Sequence, residues 1–192
     1  VPSFVQKLDA IVNVPGLGNI RYDLAYGGAF YAYVQAADAG VRCIDEDNRL
    51  LIERGMAIKH AVMISVQIRH PFEEDLNFLY GTIFIGPAES PGNHSRNVCV
   101  FAEGEVDRCP TGTGVSARMA IHHARGEIKA GDPSVVIESV IGSSFKAGVV
   151  KEVAFGDYDA VIPVVEGTAH ITGMHEFLID PTDALRDGFI LR

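Results

Sequence analysis

Hydrophobic and polar positions alternate along much of this chain, and the period changes twice. From Phe4 to Val14 β-forming residues dominate, and Pro15-Gly16 then supplies a turn. Ile20 to Ala25 and Ala29 to Val34 read as two further strands, broken at Gly27-Gly28, so the chain opens as a β-meander. Between Arg49 and Ile68 the spacing becomes helical. Leu51, Ile58, Ala61, Val62 and Ser65 recur on one face, and Asp45, Asp47 and Asn48 offer N-caps. Ala61 to Ile68 is apolar nearly all round, which predicts a buried central helix ended by His70-Pro71.

Leu79 to Ile85 and Asn97 to Phe101 read as strands on either side of a Gly- and Pro-rich loop. Gly112 to Arg125 reads as a second helix, stopped by Gly126, with Val115, Met119 and His122 on one stripe. Alternation then returns in Val135 to Val140, Phe145 to Val153, Ala160 to Val165 and His170 to Ile179. Two helices among many strands predict an α+β fold. No fixed-period repeat, low-complexity tract or linker interrupts the 192 residues.

Composition narrows the function classes. A hydrophobic share of 47% is enough for a core, and a net charge of −9 argues against nucleic acid, whose phosphates need clustered Lys and Arg. No apolar run reaches the roughly 18 residues that span a bilayer, so no membrane partner is expected. Cys43, Cys99 and Cys109 are odd in number and scattered, which is no disulfide framework and fits a reducing cytoplasm. The sequon Asn93-His94-Ser95 is then accidental. The histidines lack metal-ligand spacing, and the neighbours His122 and His123 diverge by about 100° on a helix. No metal or cofactor is indicated.

The most informative stretch is DRCPTGTGVSARMA, Asp107 to Ala120. A Pro, small hydroxyl residues and glycines stand at the mouth of a helix. The first turn of a helix has unpaired N–H donors and a partial positive charge, and glycine lets a ligand approach the main chain. This predicts an anion site for a small ligand, with Gly112 and Thr113 as backbone donors. Thr111 reads either as a helix cap or as a group facing the ligand. Asp107 reads as a ligand-facing carboxylate, or as a loop acid paired with Arg108. Phe101 reads as core or as a wall of the site.

The same stretch resembles the second active-site motif of the proline racemase family, and NVPGLG (Asn13 to Gly18), AYGG (Ala25 to Gly28), GTAHITG (Gly167 to Gly173) and LRDGFILR (Leu185 to Arg192) extend the likeness over nearly the whole chain. The family includes proline racemases, 4-hydroxyproline epimerases and trans-3-hydroxyproline dehydratases. The resemblance implies a diaminopimelate epimerase-like lobe, a sheet wrapped around a central helix with a second helix opening at the substrate site. In racemases and epimerases a catalytic Cys follows the Pro. Here Thr111 holds that slot, as in the dehydratases, and a hydroxyl cannot exchange protons as a thiol of pKa about 8.5 does.

The resemblance therefore implies cofactor-independent dehydration of trans-3-hydroxy-L-proline to Δ1-pyrroline-2-carboxylate. Proline racemisation or 4-hydroxyproline 2-epimerisation is the alternative in the same class, and a non-catalytic imino-acid-binding module the alternative outside it. Gly112 and Thr113 would hold the carboxylate, Asp107 the ring ammonium, and Phe101 would wall the ring. Cys109 is expected to point away from the Thr111 slot, because Pro110 fixes the register. The Met-Cys-Gly-His type motif that holds the family's catalytic base does not occur in this sequence. Residues 1–192 therefore read as the second lobe of a two-lobed enzyme. The segment from about 174 to 192 is expected to return to the first lobe. The apolar face between lobes would seek that other half or a second copy, as a homodimer.

Overall fold

A computed structural model describes residues 1–189. Three strands form the expected meander: β1 (Ser3–Val14), β2 (Gly18–Tyr26) and β3 (Phe30–Gln35), each antiparallel to the next. The helix α1 (Asn48–Ser65) then carries the chain to β4 (Leu79–Gly86), which lies parallel to β3. Parallel neighbours need such a crossover. β5 (Ser95–Phe101) returns antiparallel to β4, and the two-residue β6 (Glu105–Val106) folds back on it.

After α2 (Gly112–Ala124), β7 (Val135–Glu138) adds parallel to β5, and β8 (Ser144–Phe155) and β9 (Tyr158–Glu166) follow antiparallel. Ser3 and Phe4 of β1 pair with Val161 and Ala160 of β9. Together with the β4–β5 pairing this closes the sheet into a mixed barrel with β6 as a flap on its rim. The α+β class and the sheet wrapped around a helix hold.

The wrapped helix is α2. Eight of its thirteen residues are buried, from Gly114 to His122, on every side of the helix. Val115 and Met119 pack on Ile137, Ala147, Val149 and Val161, while Ala117 and Ile121 pack on Ala25, Tyr31, Tyr33 and Ile83. α1 is the outer helix, contrary to the expectation drawn from Ala61 to Ile68. It buries one stripe, Leu51, Gly55, Ile58 and Val62, against Phe30, Ala32 and Val34 among others. Its Met63 and Ile64 are 47% and 89% exposed. Apolarity all round marked the wrong helix, because Arg118 and His122 are buried polar residues in the true central one. β3 lies between the two helices, and its alternate residues face each in turn.

The expected strand from His170 to Ile179 is absent. From Gly167 to Phe189 the described chain forms neither helix nor strand, and Ile171, Met174, Phe177 and Leu178 are exposed. A closed barrel has no free main-strand edge for this segment to join. The end of LRDGFILR, residues 190–192, lies outside the described residues.

The far end of α2 is tied down by charge. The Arg125 guanidinium bridges Asp23 (2.8 and 2.9 Å) and Asp9 (3.2 Å). His122, just inside, bonds Glu127 through Nδ1 at 2.5 Å and packs edge-on against His94. Burial, reinforced by the charge on Arg118, pushes the His122 imidazole down to about 4.

Two predictions follow from this packing. Met119→Ala is expected to lower the unfolding free energy by about 2–5 kcal/mol, whereas Met63→Ala changes it by about 0.5 kcal/mol or less, read from urea midpoints. Equal losses would contradict the assignment of α2 as the enclosed helix. Between about 6.5, the ordinary His value, and about 4, the unfolded state holds a proton on residue 122 that the folded state does not. Stability therefore rises with pH through that window and declines as pH falls, by up to roughly 3 kcal/mol from this group. His122→Gln is expected to flatten the urea-stability profile between pH 4 and 6.5.

Candidate active site

α2 begins without a side-chain cap. Its first helical bond runs from the Val115 N–H to the Thr111 carbonyl at 2.7 Å, so the N–H groups of Gly112, Thr113 and Gly114 have no acceptor within the helix. Thr111 is buried and stands at the cap position, with φ 67° and ψ 99°. Its hydroxyl does not turn back to the helix. It donates to Asp107 Oδ2 at 2.5 Å. A β-branched residue at positive φ is strained by about 1–3 kcal/mol, so its surroundings must hold it there.

The turn between β2 and β3 presses on this helix start. A methyl at Gly27 would stand 2.3 Å from the Ala117 nitrogen and 2.4 Å from the Thr113 carbonyl oxygen, both backbone atoms. Gly28, at φ 114°, faces the Thr113 side chain. Two tyrosines of β3 then bond to the first turn. Tyr31 OH lies 2.7 Å from Thr113 Oγ1, and Tyr33 OH donates to the Gly114 carbonyl at 2.6 Å. Burial raises both phenols above their ordinary range, so both stay protonated.

The result is a cleft of about 480 Å³ bordered by Gly28, Tyr31, Tyr80, Asp107, Cys109 and the Thr111–Thr113 run. Of the residues singled out from the sequence, Asp107, Thr111, Gly112 and Thr113 meet there. Phe101 does not line it: its ring stacks behind Tyr80 at 5.4 Å and 13°. Tyr80 is the aromatic wall that Phe101 was expected to be. The chain alternates faces along β4 and β5, and Phe101 reaches the cleft only through its neighbour. Cys109, expected to point away, lines the cleft, and its Sγ accepts the Thr111 N–H at 3.4 Å. Cys99 is fully buried, and desolvation raises its thiol well above the ordinary range.

The cleft combines uncapped helix N–H groups, which favour an anion, with a carboxylate, which favours a cation. That pairing suits a small zwitterion. A family model for proline racemase matches residues 1–190.

The chain belongs to the proline racemase family.

It is 47% identical over 192 residues to the trans-3-hydroxy-L-proline dehydratase of Colwellia psychrerythraea, covering 100% of this chain and 54% of that protein. With the human trans-3-hydroxy-L-proline dehydratase it shares 43% over 193 residues, again 100% and 54%. A solved hydroxyproline epimerase from Agrobacterium vitis, with bound trans-4-hydroxy-L-proline, superposes with a TM-score of 0.87 at 38% identity, covering 100% of this chain and 54% of that one. The chain thus spans about half the length of the relatives it matches.

Sequence reasoning missed Tyr31 and Tyr80 in this proline racemase family site. A signal for Tyr31 was present: two tyrosines at alternate positions in an otherwise apolar strand need partners for their hydroxyls. Gly27 supplies the test of this packing. Gly27→Ala is expected to lower the unfolding free energy by about 2 kcal/mol or more, since backbone must move. Gly112→Ala, whose methyl would find its nearest neighbour 3.9 Å away on Phe145, stays within about 1 kcal/mol of the parent. Urea unfolding of both variants checks the contrast.

Proposed function

We propose that this chain is the substrate-binding half of a cofactor-independent trans-3-hydroxy-L-proline dehydratase. The observation that carries the reading is Thr111. It stands between Asp107 and the uncapped start of α2, in the slot where racemases and epimerases keep a thiol, and its proton is directed to the Asp107 carboxylate. A group so held cannot accept and return a Cα proton. The names of the Colwellia and human relatives support the same reading.

In this scheme the substrate carboxylate lies at the Gly112 and Thr113 N–H groups, which also stabilise the charge that develops as Cα loses its proton. Asp107 holds the ring ammonium. A Cys thiolate contributed by a first lobe removes the Cα proton, the C3–O bond breaks, and the proton so taken passes to the departing hydroxyl, which leaves as water and restores the thiolate. The enamine then tautomerises to Δ1-pyrroline-2-carboxylate. The exposed apolar residues of the tail, Ile171, Phe177 and Leu178, would cover part of that first lobe or of a second copy.

A second reading, racemisation of proline or 2-epimerisation of 4-hydroxyproline, draws on Cys109, a thiol in the same cleft, and on the epimerase neighbour. Against it, Cys109 Sγ is occupied by the Thr111 N–H.

The full-length protein incubated with trans-3-hydroxy-L-proline is expected to yield an imine, trapped by borohydride reduction. Deuterium incorporation at Cα of proline in heavy water, with no imine from the 3-hydroxy compound, would replace this reading with the second. The isolated chain is expected to bind pyrrole-2-carboxylate weakly in calorimetry and to turn nothing over. Turnover by the isolated chain would place the base within these 192 residues.

A further inference from the structure

The peptide that leads into α2 is held at both of its polar atoms. Asn97 on β5 donates from Nδ2 to the Pro110 carbonyl at 3.2 Å. At the other end of the same peptide, the Thr111 N–H meets Cys109 Sγ at 3.4 Å. A peptide is planar, so two such contacts fix its rotation, and that rotation sets φ of Thr111. The strained value of 67° is the one that puts the Thr111 hydroxyl on Asp107.

Asn97 is itself oriented. It is fully buried, and its Oδ1 accepts from Arg118 Nη1 at 2.7 Å. An amide can turn over and exchange its oxygen for its nitrogen. A cationic donor at one end removes that freedom, leaving the NH2 group to face Pro110.

Arg118 serves poorly as a plain structural residue. It is 3% exposed, lies in the middle of the enclosed helix and, among the described residues, forms no ion pair with a carboxylate. Its Nε has no acceptor. Taking a guanidinium out of water for one bond to a neutral amide carries a desolvation penalty of several kcal/mol, and an apolar side chain of similar length would stabilise the barrel better. Burial lowers its pKa to about 10, so it remains a cation at neutral pH. Its worth lies in what the bond to Asn97 orients.

We propose that Arg118 and Asn97 are positioning residues for the ligand-binding turn: Arg118 orients the Asn97 amide, Asn97 and Cys109 clamp the Pro110–Thr111 peptide, and the clamped peptide holds Thr111 on Asp107. The clamp stands on geometry alone, and only the identity of the ligand it serves rests on the imino-acid reading. It acts along a line from inside the barrel to the cleft, without either residue touching the ligand.

Asn97→Asp separates positioning from support. The carboxylate gains a charge-assisted pair with Arg118, but both its oxygens accept and neither can donate to Pro110. The variant is expected to unfold in urea no earlier than the parent. Its crystal structure is expected to show the Pro110–Thr111 peptide rotated and the Thr111–Asp107 bond lost. Arg118→Met is expected to lose the same bond, and Arg118→Lys, which keeps a cationic donor, to retain it. Binding of pyrrole-2-carboxylate by calorimetry should fall about ten-fold in Asn97→Asp and Arg118→Met, the scale of one hydrogen bond, and recover in Arg118→Lys. Thr111 keeping its positive φ and its bond to Asp107 in both Asn97→Asp and Arg118→Met would overturn the proposal. Absence of pyrrole-2-carboxylate binding in the parent chain, with the turn still displaced in the variants, would overturn the ligand reading and uphold the clamp.

Discussion

A helix enclosed by a closed sheet meets water only at its ends. This constraint governs the rest of the molecule. Because β4 pairs with β5 and β1 with β9, the barrel surrounds α2, and the strands supply its neighbours on every side. One end is fastened by Arg125 between Asp9 and Asp23. The other end cannot be capped by a long flanking loop, because Gly27, Tyr31 and Tyr33 occupy the space around the first turn. The backbone groups left over at that end are the free N–H donors of the first turn, beside the cleft. Packing thus leaves unpaired N–H donors at the cleft, a feature that favours an anion, and the residues bordering the opening come largely from the loops beside it.

How much of this was legible depends on how local each signal was. The meander, both helices and the strands from Val135 to Val165 follow from alternation and from Gly and Pro punctuation, which act over a few residues. The choice of central helix was not legible from apolarity. α1 looked the more buried because Ala61 to Ile68 lacks charge, yet Ile64 is 89% exposed. α2 shows a single stripe of Val115, Met119 and His122 in the sequence, whereas in the structure Arg118 and His122 are buried along with its apolar residues. Both are buried polar groups with particular partners, Asn97 and Glu127, and the sequence does not show that those partners are close. The tail failed for a related reason. A strand needs an edge to pair with, and whether a sheet has a free edge is a property of its closure and not of the segment.

The candidate site divides in the same way. Asp107 and Thr111 to Thr113 lie within seven residues, so one turn and one helix start bring them together, and reading them needed no tertiary knowledge. Tyr31, Tyr80 and Asn97 come from three different strands. Phe101 is expected at the cleft wall but stacks behind Tyr80, because the depth of an aromatic beside a cleft depends on which strand forms the rim. Cys109 was misjudged because Pro110 fixes its own φ but not the direction of the side chain before it.

On the proposed reading, the order of groups along the cleft has a chemical consequence. In an α-imino acid the carboxylate and the nitrogen are both attached to Cα. A site that binds the carboxylate at the α2 N–H groups and the nitrogen at Asp107 therefore brings Cα beside whatever stands between them, and Thr111 stands between them, bonded to one and preceding the other. Recognition and chemistry are thereby separable. The glycines, Asp107 and the helix start can stay the same while residue 111 changes from thiol to hydroxyl. With a thiol the intermediate is attacked by a proton from the second face and the centre inverts. With a hydroxyl committed to Asp107, as proposed, no proton would come from that face, and the carbanion would expel a group from C3 instead. On that reading one fold and one way of gripping the substrate would support both proton exchange at Cα and dehydration, with the atom at position 111 separating the two.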